Sequence, residues 1–277
     1  MEKSDIELPG KHDWVQRASS ARNVERIEAY FGGHGYDMHR HDTYGIGRTL
    51  AGVQSFHYRS GMAHSLPGGT IVLHPDEPHD GHAGTDAGFR YRMAYIEPAL
   101  IQRVLGGKPL PFIPGGLSAD PRLYVASDAL LRSLDSPDPL EEDDAIYELA
   151  HALAAAAGVR RGRQAVDYRA AELARACLLD RLEHPVTLSE LEQASGRDRW
   201  RLSRDFRVLY GTSPYRYLTM RRLERVRRLA AAGQPLALAA AWAGFTDQSH
   251  MTRHFRRAYG HSPGRWLRAL KGGPDAG

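Results

Sequence analysis

Residues 202–218 (LSRDFRVLYGTSPYRYL) and 251–267 (MTRHFRRAYGHSPGRWL) match at nine of 17 positions when offset by 49 residues. Chance would give about one identity at ordinary residue frequencies. The chain therefore contains a duplicated unit. Two copies are too few to stack as a solenoid, so each copy has to be a module with its own local structure.

The surrounding residues give that structure. In the first copy Thr187 and Glu190 form a capping box for a short helix, Gly196 breaks it, and Asp198 caps a helix over 199–209. In the second, Pro235 opens a short helix, Gly244 breaks it, and Asp247 caps a helix over 248–258 that Gly260 ends. A short helix, a glycine turn and a capped helix make a helix-turn-helix. Its second helix reads DNA with its N-terminal residues. The outward positions are Arg199, Trp200, Ser203, Arg204 and Arg207 in the first copy, where Arg201 enlarges the basic set, and Gln248, Ser249, Thr252 and Arg253 in the second, with His250 beside them. Arg suits guanine and Gln suits adenine. Between the copies, Pro214 to Ala230 reads as one long helix of roughly 25 Å. A strut of that length can hold two reading helices about one DNA turn apart, ~34 Å.

Charge supports the same partner. Residues 1–168 hold 17 Lys+Arg against 23 Asp+Glu, and residues 169–277 hold 20 against 10. A basic half joined to an acidic half points to a polyanion, here double-stranded DNA. At 277 residues the chain has room for two domains. It shows no apolar run of membrane-spanning length and no apolar signal core, so no membrane partner is expected. The lone Cys177 excludes a disulfide framework and fits a cytoplasmic protein.

The motifs GFTDQSHMTRHFRRAYGHSP and LSRDFRVLYGTSP resemble the DNA-binding domain of the AraC/XylS family of bacterial transcription regulators. The resemblance implies DNA contacts at Trp200, Ser203, Arg204, Gln248, Ser249, His250 and Arg253. It also implies RNA polymerase as a partner if the chain activates.

The N-terminal half reads differently. From about 24 to 97, short apolar segments alternate with Gly and Pro turns, which predicts an all-β barrel or sandwich. Nine of the 14 histidines fall between His12 and His82. His39 and His41, two apart, share a face of a strand, and His79 from another strand could complete a three-nitrogen metal site. The run H-x-H-D-x-Y, the 66–69 turn and HPDEPHDG resemble a cupin barrel, and more closely the cupin-like sensor half of AraC-family regulators. Metal-using cupins carry a Glu a few residues after the histidine pair, and Gly45 stands there in this chain. The expectation is therefore a metal-free effector pocket with no cofactor and no catalysis, lined by His39, His41, Tyr44, Glu77, His79, Arg90 and Arg92. Arg90 and Arg92 share one strand face. If that face is inside, an anionic effector is favoured; if outside, they are solvent residues.

Residues of about 121–157 follow helical spacing, interrupted at Ser136 to Pro139. They either cover the barrel or, as the family resemblance implies, pair two subunits as a homodimer. The expected organisation is α+β: a cupin-like effector-binding domain over 1–157, a linker over 158–168, an all-α DNA-binding domain over 169–270 with two helix-turn-helix units joined by a long helix, and a disordered tail over 271–277. The expected function is a ligand-responsive, sequence-specific DNA-binding transcription regulator that senses an unknown small molecule. The alternative is a cupin-type metalloenzyme with an attached helical binding module.

Overall fold

A computed structural model of the 277-residue chain describes residues 12–19, 24–132, 134, 138–158 and 165–271. Among these residues, ten strands make two antiparallel sheets. The larger one has the order β1 (Trp14–Ser19), β2 (Glu25–Phe31), β9 (Phe89–Ile96), β4 (Tyr44–Gly52), β7 (Thr70–Leu73) and β10 (Leu117–Ser118). The smaller has the order β3 (His34–His39), β8 (His79–Ala83), β5 (Gln54–Tyr58) and β6 (Gly61–Ser65).

Strand alternation divides the apolar side chains of the central strand β9 between two cores. Phe89, Tyr91 and Met93 of β9 turn inward and meet Ile27, Phe31, Phe56 and Ile71 between the sheets. Ala94 and Ile96 turn outward and pack with Ile46 and Val72 under three helices. These are α1 (Pro98–Leu105), α2 (Pro121–Leu131) and α3 (Pro139–Ala157). A buried pair, Arg26 Nη2 to Glu142 Oε1 at 2.6 Å, ties β2 to α3.

The barrel starts and ends outside the expected 24–97. Its first strand is the edge strand β1, whose WVQRAS pairs along one side only, and edge strands carry a weak alternation signal. The helix α1 was not anticipated either. Its punctuation is present, with Pro98 in the first turn and Gly106 in the left-handed region behind it, but eight residues give little periodicity. The interruption expected before Pro139 separates α2 from α3.

Seven helices follow: α4 (Tyr168–Asp180), α5 (Leu188–Ser195), α6 (Arg199–Tyr210), α7 (Pro214–Ala231), α8 (Leu236–Trp242), α9 (Gln248–Tyr259) and α10 (Pro263–Lys271). The caps are the anticipated ones. Thr187 and Glu190 form a capping box, while Asp198 and Asp247 accept from the first-turn amides of α6 and α9. Two apolar clusters result, one centred on Phe206 and one on Phe255, with α7 contributing to both. The expected linker lies partly outside the described residues, as does all of the expected tail except Lys271.

The two halves are docked, and α7 supplies the arginines that form ion pairs between them. Arg216 donates to the Arg40 carbonyl at 2.7 Å, Arg221 pairs with Asp42, and Arg227 pairs with Glu25 at 2.6 Å. The glycines that end α6 and α9, Gly211 and Gly260, both abut the barrel. A Cβ on Gly211 would stand 2.6 Å from the Pro75 side chain, and one on Gly260 would stand 2.8 Å from the Asp37 carbonyl.

Candidate functional site

A cavity of about 190 Å³ opens between the sheets and reaches the C-terminal half. The barrel supplies His39, His41, His79 and an apolar wall that includes Phe31, Phe56 and Met93. The helical half closes it with Arg227, Tyr259, His261 and Trp266.

The three histidines converge because of strand register. His39 ends β3 and stands directly opposite His79 on β8. His41 follows two residues later, and its carbonyl accepts from the Asp76 amide at 2.7 Å, which pins it to the turn before His79. Ring centroids are 4.4 Å apart for His39 and His79 and 4.8 Å for His41 and His79. Burial lowers the pKa of all three, that of His41 to about 3, and for His41 and His79 the neighbouring imidazoles add to the effect. At neutral pH the rings are uncharged. The Tyr36 hydroxyl donates to that of Tyr91, and burial keeps both phenols protonated.

Five residues that line the cavity carry a buried side-chain atom with no hydrogen-bond partner among the described residues: Gln54 Oε1, His41 Nε2, Arg227 Nε, His261 Nδ1 and Trp266 Nε1. Leaving such a group unpaired costs about 1–3 kcal/mol. A bound ligand is a natural partner for them.

Four residues expected in the pocket stand elsewhere. Tyr44 points to the outer face of its sheet, into the core under the helices, and donates to the Pro111 carbonyl at 2.7 Å. Arg90 and Arg92 also take that outer face, since Tyr91 between them faces in. Both bind Glu28, and Arg92 reaches the Leu131 carbonyl at 2.6 Å. They are neither cavity cations nor free solvent residues. Glu77 lies 3.7 Å from Arg59 and is not part of the cavity wall. Gly45 does face inward, where an added Cβ would stand 3.3 Å from both Leu73 and Met93.

The second surface is formed by α6 and α9. Leu202, Phe206 and Leu209 are buried on one helix, and Met251, Phe255 and Ala258 on the other. Opposite them, Trp200 is 77% exposed, and Arg201, Arg207, Gln248, Ser249 and Arg253 are exposed too. Ser203, Thr252 and His250 are half-buried, and His250 Nε2 sits 2.9 Å from His254 Nε2. Two arginines of the first copy are engaged within the protein. Arg199 forms an ion pair with Glu192 at 2.7 Å. Arg204 holds the buried Asp205 at 2.6 Å and the Ala165 carbonyl at 3.0 Å.

Models of known families match both halves. An AraC-like ligand binding domain matches residues 23–150, and a helix-turn-helix domain matches residues 191–269. The chain belongs to the AraC family of transcription regulators. Over 89 residues, 32% of its length, this AraC-family chain is 36% identical to the regulatory protein Ada of Salmonella typhimurium, of which it spans only 25%. Over 85 residues it is 29% identical to the multiple antibiotic resistance protein MarA of Escherichia coli, covering 30% of this chain and 67% of that one. The crystal structure of ToxT from Vibrio cholerae O395 shares the fold, with a TM-score of 0.59 at 13% identity over 94% of this chain and 98% of that one. ToxT has also been solved with an unsaturated fatty acid bound. Among the described residues, no helix is long and apolar enough to cross a membrane.

The sequence reading missed the part of the cavity wall that comes from the helical half. It also missed Tyr36 and Tyr91. Tyr91 was accessible through the alternation of β9, since Phe89, Tyr91 and Met93 share a face. His261 and Trp266 had no such signal, because only docking of the two halves brings them to the barrel.

Proposed function

We propose that this AraC-family chain is a ligand-responsive, sequence-specific DNA-binding transcription regulator rather than an enzyme. The observation that carries the reading is the paired exposure on α6 and α9: two capped helices from one duplicated unit, each with a polar N-terminal face turned to solvent. Trp200, Arg201, Ser203 and Arg207 would meet one major groove, and Gln248, Ser249, Thr252 and Arg253 the next. The helix α7, 18 residues long and so roughly 27 Å at 1.5 Å per residue, is the spacer. Arg204 and Arg199 serve mainly to hold the first unit together.

The effector site is the cavity. Its apolar wall and unpartnered polar atoms suit a small, largely apolar molecule with a polar end. Because α7, Tyr259 and Trp266 form part of the wall, occupancy acts on the same helices that position α9. A ligand that fits one placement of the halves better than another shifts their populations. Exposed Val125, Leu140 and Tyr147 on α2 and α3 favour a paired form of the chain.

Selection of duplexes from a random library by the full-length chain tests the DNA reading, and recovery of no enriched sequence would end it. A thermal-shift screen of small acids and aromatics tests the cavity. A cavity ligand should change DNA affinity by about 5-fold or more. A ligand that stabilises the chain through the cavity and leaves DNA affinity unchanged would separate the two halves functionally.

A further inference from the structure

We propose that His39, His41 and His79 form a binding site for one divalent transition-metal ion of the zinc class, held by the three Nε2 atoms. One ring nitrogen from each lies within 4.8 Å of the others. Zinc–nitrogen bonds of about 2.0–2.1 Å require roughly an ångström of inward ring movement to close the site.

The outer hydrogen bonds prepare that geometry. His39 Nδ1 lies 2.9 Å from the Asp37 carbonyl, and His79 Nδ1 lies 2.9 Å from the Glu77 carbonyl. His41 Nδ1 lies 3.0 Å from the Thr43 carbonyl and equally far from the Thr43 hydroxyl. A carbonyl only accepts, so Nδ1 of each ring carries the proton. A neutral ring protonated at Nδ1 presents a lone pair at Nε2. Each ring is held by a backbone carbonyl two residues away in the chain, and metal-bound histidines are oriented by such outer hydrogen bonds. His41 Nε2 is buried and has no hydrogen-bond partner among the described residues. An ion would supply one.

The ligand set explains how this stands with Gly45. Leu73 and Met93 fill the space in front of Gly45, so β4 offers no carboxylate. Three neutral imidazoles leave the ion its full charge and an open position toward the cavity. An anionic end of the effector would complete the shell there, and this last point rests on the effector reading above. The site itself stands without it.

A second histidine pair sets the control. His250 and His254 on α9, with Nε2 atoms 2.9 Å apart, could capture a metal through two ligands. The test is titration of chelator-treated full-length protein with Co²⁺, read by the visible bands of four-coordinate cobalt, with Zn²⁺ as competitor. One equivalent should give the bands, and Zn²⁺ should abolish them. His41→Ala and His79→Ala should each weaken binding by 10-fold or more, while a His250→Ala, His254→Ala double variant binds as wild type does. X-ray absorption on the cobalt-loaded wild type needs no variant and should count three imidazole nitrogens. Absence of the bands, their persistence in both His41→Ala and His79→Ala, their loss in the α9 double variant, or fewer than three imidazoles would each overturn the proposal.

Discussion

Arg221 of α7 and Asp42 of the barrel form a buried ion pair across the two halves, with one guanidinium nitrogen 2.9 Å from both carboxylate oxygens. Glu97 and Glu224 approach the same guanidinium. Burial alone would lower the Arg221 pKa, but the three carboxylates hold it well above its ordinary value. Removing one partner from such a pair strands the other charge. Arg221→Ala should therefore cost about 3–5 kcal/mol in chemical denaturation. Arg122→Ala, which removes an exposed pair with Asp120, should leave the midpoint where it was. Equal midpoints for the two variants would mean that the halves do not rely on this contact.

The pair between Glu25 and Arg227 adds a pH dependence. Burial opposes the charge on Glu25, but Arg227 and then Arg17 outweigh it and hold its pKa at about 2, below the ordinary 4.5. A depressed carboxylate pKa gives stability that is full above 4.5 and lost as pH falls toward 2. In that window the unfolded chain binds one more proton, a slope of about 1.4 kcal/mol per pH unit. Glu25→Gln should lack this part of the acid slope and be less stable at pH 7. If the two acid profiles run parallel from pH 5 to 2, the pair contributes nothing.

The matched arginines of the repeat should behave differently. Arg253→Ala should lower affinity for a selected duplex by about 1–3 kcal/mol with an unchanged unfolding midpoint. Arg204→Ala should lower the midpoint, because Asp205 loses one of the cations around it, Arg197 remaining at 2.9 Å. Unfolding curves and binding isotherms for both variants decide this, and the reverse pattern would invert the assignment.

Gly196 and Gly260 provide a matched test of the docking contact. Both cap a helix in the left-handed region, with φ of 65° and 70°. A Cβ on Gly196 meets nothing within 4 Å, whereas one on Gly260 meets the Asp37 carbonyl at 2.8 Å. Gly196→Ala should cost about 1 kcal/mol for the backbone alone, and Gly260→Ala distinctly more. Similar losses would show that the α9 end does not press on the barrel as described.

The helical half was legible because its signals are local. Thr187, Asp198 and Asp247 announce helix starts, Gly196, Gly211 and Gly260 announce ends, and the repeat confirms the phase. The histidine cluster was legible because two of its members are two residues apart. The misplacement of Arg90 and Arg92 shows the limit of local signals: alternation puts them on one face, but only α2 and α3 packing on that face decides which it is. Charge misled in a similar way. Arg216, Arg221 and Arg227 count toward the basic excess that points to a polyanion, yet they face Asp76, Asp42 and Glu25 of the barrel. An arginine that pairs with a carboxylate 179 or 202 residues away cannot be told from one that binds phosphate until the halves are docked.

The most direct test of the central claim is hydroxyl-radical footprinting of the full-length chain on a duplex selected from a random library. The account predicts two protected segments about one helical turn apart on one face of the DNA. An α6 variant, Trp200→Ala with Arg201→Ala, should lose one segment, and an α9 variant, Gln248→Ala with Arg253→Ala, should lose the other. A single protected segment, or one that both variants abolish together, would contradict the reading of two grooves by two helices.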